Sequence, residues 1–114
     1  MLSHVAKHQP GSLDAVFSAL ADPTRRAMTE RLREGEASLS ELAEPSGFAL
    51  PTILKHLRTL EHAGLVEHHK RGRERRCRLV PGPLEQADAW LAHYRVFWSE
   101  RFAGLSEHLA RHGG

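Results

Sequence analysis

The chain has 114 residues and 12.8 kDa, room for one domain of ordinary size and no second one. Apolar residues make up 40% and charged residues 26%, which excludes a disordered chain. The longest apolar runs are about three or four residues, such as Phe48-Ala49-Leu50, far short of the roughly 20 residues that span a bilayer. The net charge is only +2, but its distribution is uneven: eight Lys and Arg lie between Lys55 and Arg78 against three Glu. Such a positive block in an otherwise slightly acidic chain is the electrostatic footprint of a polyanion-binding surface.

Residues 1–12 contain Pro10 and Gly11, show no period and are expected to form a flexible N-terminal tail. The N-terminus lacks a basic stretch followed by an apolar one, so a cytoplasmic location is expected. Leu13, Val16, Phe17 and Leu20 recur at helical spacing and predict a first helix ending near Ala21. Asp22 and Pro23 then supply an N-cap and a first-turn proline for a second helix, with Ala27, Met28 and Leu32 on one face and Gly35 as its stop. Ala37-Ser38-Leu39 can be briefly extended, and Ser38 with Glu41 fits a capping box opening a short third helix. Pro45-Ser46-Gly47 ends it. After Pro51 the stripe Ile53, Leu57 and Leu60 marks a fourth helix closed by Gly64; two short helices across a glycine-containing turn have the shape of a helix-turn-helix.

Leu65-Val66 and Cys77, Leu79 and Val80 flank a basic tip at Gly72, a two-stranded hairpin. A long helix follows, about 83–111, carrying Leu84, Ala87, Leu91, Tyr94, Trp98, Phe102, Leu105 and Leu109 as one stripe, with Trp90 and Phe97 off it. That is more apolar surface than one packing contact consumes. The expectation is a mainly α fold with a small β-hairpin, a winged helix-turn-helix over residues 13–114. The long C-terminal helix is its dimerisation element, with Leu91, Tyr94, Trp98, Phe102 and Leu105 joined by Leu13 and Phe17.

Several segments together resemble the ArsR family of bacterial transcriptional regulators: Leu20 to Arg26, Leu39 to Ala43, Leu50 to Leu57 with Leu60 to Val66, and the hairpin from Gly72 to Leu79. The resemblance covers about Leu13 to Leu109. The terminal helix, with Trp90, Tyr94, Arg95, Phe97, Trp98 and Arg101, is similar to a subgroup without the usual metal sites. It implies a sequence-specific double-stranded DNA-binding regulator, a repressor that acts as a homodimer, with a small-molecule inducer of unknown identity as a further partner. By resemblance His56 stands where the family has a histidine near DNA, with a packing role as the alternative.

The residues give their own reasons. In a helix-turn-helix the second helix enters the major groove and presents outward side chains to base edges, here Pro51, Thr52, Lys55, Arg58 and Thr59. Lys70, Arg71, Arg73, Arg75 and Arg76 around Gly72 suit phosphates or a minor groove. Arg25 and Arg26, near a helix N-terminus, are candidates for clamping the DNA backbone. Two departures from the family are Leu54, where relatives carry a small hydroxyl residue, and Ala49 in place of a serine N-cap.

No catalytic constellation, cofactor or metal site is expected. Six of the nine histidines fall in pairs, His4 with His8, His68 with His69 and His108 with His112, without a third ligand nearby in sequence, and the single cysteine, Cys77, has no disulfide partner. Two rival readings stay open: a winged helix whose basic hairpin binds an acidic protein, and a metal or redox sensor using histidines or Cys77.

Overall fold

The computed structural model describes residues 11–112, with side chains described for residues 11–104. The chain divides into two compact units, the first running to Leu84 and the second from Glu85 onward, where the sequence reading places residues 13–114 in one domain.

In the first unit the elements follow in the order α1 (Leu13–Leu20), α2 (Pro23–Leu32), β1 (Ala37–Ser38), α3 (Leu39–Ala43), a 3-10 turn (Glu44–Ser46), α4 (Leu50–His62), β2 (Val66–Arg71) and β3 (Glu74–Leu79). The last helix, α5, spans Pro81–His112, two residues earlier and one later than expected. At 1.5 Å per residue it is about 48 Å long. Among the described residues no helix is long and apolar enough to cross a membrane.

The local signals act as their chemistry requires. Ser12 caps α1 by accepting a hydrogen bond from the Ala15 N–H (3.1 Å), and the Asp22 carboxylate accepts from the Arg25 N–H (3.0 Å) at the start of α2. Gly11 donates to the Ala63 carbonyl (2.9 Å). Gly11 and Ser12, assigned by the sequence reading to the tail, therefore belong to the folded unit; residues 1–10 lie outside the described part. Ser38 and Glu41 form the full capping box of α3. Gly64 sits at φ +80°, where an added Cβ would stand 3.3 Å from the Gly11 nitrogen, so only glycine fits there without strain.

The wing is a three-stranded antiparallel sheet in the order β1-β3-β2, not a bare hairpin. Ala37 and Ser38 pair with Cys77 and Arg76, because the chain leaving α2 runs past β3 and saturates its second edge. Beneath the sheet and helices Val16, Ile53, Leu57, Leu60, Leu65 and Cys77 are fully buried, so the inward stripe of α4 fixes which of its residues point outward.

One end is left unfinished. Ala49 has N-cap backbone geometry (φ −67°, ψ 153°) and no capping side chain. Ala49→Ser is expected to raise stability by about 0.5–1 kcal/mol, read as a higher urea midpoint at unchanged m; an unmoved midpoint would mean that the terminal N–H groups of α4 are already satisfied.

Candidate nucleic-acid interface

Burial of Ile53, Leu57 and Leu60 turns Pro51, Thr52, Lys55, Arg58 and Thr59 to solvent. They form one outward face on α4, as the spacing predicts. Thr59 is partly committed, since its hydroxyl donates to the Lys55 carbonyl (3.3 Å). Leu54 is half-buried. Leu50, in the first turn of α4, is 47% exposed and extends the same end of the helix with an apolar side chain suited to a thymine methyl. The sequence reading does not count it among the outward residues of the helix, although its place just before Pro51 is the signal.

His56 is half-buried and turned toward α2. Its Nδ1 lies 3.3 Å from Arg25 Nη1 and 3.9 Å from Asp22 Oδ2. The observed contacts are those of a packing residue. Backbone N–H donation from Arg25, ahead of the nearby positive charges, holds the Asp22 carboxyl below its ordinary range.

Arg25 and Arg26 are occupied in a way that charge counting does not show. Arg25 Nε donates to the Ala19 carbonyl (2.6 Å) and Nη2 to the Ser18 carbonyl (3.3 Å). Arg26 Nη1 donates to the Leu20 carbonyl (2.8 Å). Both guanidiniums cap the C-terminal end of α1 by donating to its last carbonyls, of which that of Ser18 also accepts from the Ala21 N–H. This is a structural task where a backbone clamp on DNA was expected.

In the wing, Lys70, Arg71 and Arg73 are exposed and Arg75 is half-exposed; among the described residues none of the four has an ion pair. They lie in and beside the two-residue turn of Gly72 and Arg73, where the Gly72 φ of +64° makes the tip tight. Arg76 differs: its guanidinium faces Glu36, Glu41 and Glu74 at 3.7, 3.3 and 3.5 Å. Arg78 pairs with Glu67 across the hairpin. The free positive charge is thus concentrated at the tip.

Cys77 is fully buried on β3. Burial, reinforced by the Glu61 carboxylate, pushes its thiol from 9.0 up to about 11, so a reactive thiolate is absent at neutral pH. Its alkylation by iodoacetamide is expected to be slow in the native protein and fast in urea; rapid native labelling would contradict the burial. The unfolded thiol ionises near 9 while the folded one holds its proton to about 11, so this contribution is complete below pH 9 and is lost as pH rises through 11.

The described histidines form no shared metal site. His68 pairs with Glu61, and among the described residues no three His, Cys, Asp or Glu are close enough to share a metal ion. His4, His8, His108 and His112 lie outside the described side chains.

The second unit carries the aromatic face of α5. Tyr94, Trp98 and Phe102 are 45%, 43% and 64% exposed, and Leu91 is half-buried. The rings of Tyr94 stand 5.1 Å from Trp90 and 6.4 Å from Trp98, and Arg101 lies 4.2 Å over Phe97. In the first unit Leu13 is half-buried and Phe17 exposed. Leu105 falls on α5 beyond the described side chains.

A helix-turn-helix domain family matches residues 20–69. An HTH-type transcriptional regulator of Mycobacterium tuberculosis is 33% identical over 102 residues, covering 90% of this chain and 92% of that protein; a transcriptional repressor of Bacillus subtilis is 28% identical, over 72% and 91%. A solved ArsR family transcriptional regulator is 46% identical with a TM-score of 0.70, over 76% of this chain and 96% of the other. The homodimeric winged helix-turn-helix DNA-binding domain of a Mycobacterium bovis protein, solved in solution, superposes with a TM-score of 0.58 at 27% identity, over 79% and 81%. These relatives are transcriptional regulators rather than enzymes. The chain belongs to the ArsR family of winged helix-turn-helix transcriptional regulators.

Proposed function

We propose that the protein is a homodimeric repressor that binds a palindromic double-stranded DNA operator and blocks its promoter. The observation that carries this reading is the pairing of an outward polar face on α4 with a wing tip whose four cations are free of carboxylates. Pro51, Thr52, Lys55, Arg58 and Thr59 read base edges, and Lys70, Arg71, Arg73 and Arg75 neutralise phosphates. The exposed aromatic residues of α5 supply the dimer seam with Leu13 and Phe17, and a two-fold axis sets the recognition helices about one turn of DNA, roughly 34 Å, apart. The homodimeric relative in solution supports the assembly, and a relative named as a repressor supports the direction of control. For a small-molecule inducer, the described residues offer an apolar cavity of about 310 Å³ lined by Pro23, Ala27, Met28, Leu42, Pro45 and Phe48.

The test is selection of genomic fragments by the purified protein at two salt concentrations, with the mass in solution measured by sedimentation. A dimer that enriches one palindromic motif at both salts supports the proposal. A monomer, or unrelated fragments lost at the higher salt, refutes it and favours a basic winged helix with an acidic protein partner.

A further inference from the structure

Arg76 is the one wing cation enclosed by carboxylates from three segments: Glu36 before β1, Glu41 on α3 and Glu74 on its own strand. Its side chain is 22% exposed, and its Nε is buried without a hydrogen-bond partner, standing 3.7 Å from Glu36. A phosphate approaching this guanidinium would meet three negative charges first. Arg76 is thus poorly placed to join the phosphate contacts of Arg73 and Arg75.

Glu41, its partner, serves several elements at once. One carboxylate oxygen accepts from the Ser38 N–H at 2.7 Å and lies 3.3 Å from Arg76 Nη1; the other is 3.9 Å from Arg31 Nη2 on α2. The same side chain closes the capping box of α3, the helix packed against α4. Backbone attachment of the wing on this side is only the two-residue pairing of β1 with β3, so the side-chain joint lies where the ladder is shortest.

We propose that Glu41 and Arg76 form the joint that holds the wing in register with the helix-turn-helix, making Arg76 a positioning residue and not a DNA contact. This rests on the reading that α4 and the wing engage one duplex. The joint sets the distance between the two footprints, and with it the spacing between base readout and phosphate contacts on the operator.

The 114-residue chain carrying Glu41→Gln, Arg76→Gln or both is compared with Arg73→Gln, by amide hydrogen exchange without DNA and by duplex affinity against salt. Glutamine at position 41 keeps an oxygen acceptor for the Ser38 N–H, as a capping box allows, so loss of α3 is separated from loss of the ion pair. Glu41→Gln and Arg76→Gln are each expected to speed exchange along Glu74–Leu79 and to weaken operator binding by roughly fivefold, with the double variant no weaker than either single. Removing a negative charge near DNA should otherwise strengthen binding, so weakening by Glu41→Gln is diagnostic. Arg73→Gln should leave exchange unchanged and lower the salt slope by about 0.9. Unchanged exchange in Glu41→Gln, or fully additive losses in the double variant, would overturn the joint. If the wild type shows no selective duplex binding, the repressor reading falls, while the exchange measurement still decides whether Glu41 and Arg76 hold the wing.

Discussion

Lys55→Ala is expected to cost about 1–3 kcal/mol in binding to the operator and much less on random duplex. Lys55 projects from the outward face of α4 with no ion pair among the described residues, while Ile53 and Leu57 on either side of it are fully buried. Its ammonium is therefore aimed away from the core by packing that the substitution leaves intact, and the loss falls on recognition and not on folding. Thr52→Ala should act in the same direction with a smaller effect, since one hydroxyl or methyl contact is removed. Titration of labelled operator and scrambled duplex under identical salt measures the difference. Equal losses on both sequences would show that α4 touches only phosphates and would remove the proposed docking.

The double substitution Arg73→Ala with Arg75→Ala should behave in the opposite way. Both side chains stand at the wing tip without carboxylate partners, so each is free to neutralise one phosphate and release one counterion. The log–log dependence of affinity on salt should flatten by about 1.8, two contacts at about 0.9 each. Affinity at low salt should fall about tenfold or more, alike on operator and random DNA. Affinity measured from low to moderate salt on both duplexes decides it; an unchanged slope would place the wing off the DNA and leave its charge for another partner. Stability should hardly move, because exposed cations without partners contribute little to the folded state.

Wherever a feature depends on residues close in sequence, the chain is legible. Asp22 before Pro23, Ser38 with Glu41 and the Ile53–Leu57–Leu60 stripe act through neighbours three or four residues away, and the glycine at position 72 through its own backbone angle. Their helices and hairpin stand where the pattern places them. The outward face of α4 follows from the same periodicity, since a helix that buries one stripe must expose the other.

What a charged side chain does depends instead on partners that the fold brings near. Arg25 and Arg26 look like a basic pair available to a phosphate, yet each reaches back six residues to carbonyls at the end of α1. Arg76 reads as one cation among six in the wing, but its partner Glu41 is 35 residues away. His56 meets Arg25 across 31 residues, and β1 becomes a strand only because β3 lies alongside it. Sequence alone determined the helical periods, the caps, the turn glycines and the basic segment, because these are set by local sterics and by burial of one face. Tertiary structure decided which cations are free for DNA and which hold the protein together, because arginine is long enough to choose among partners that only folding brings within reach.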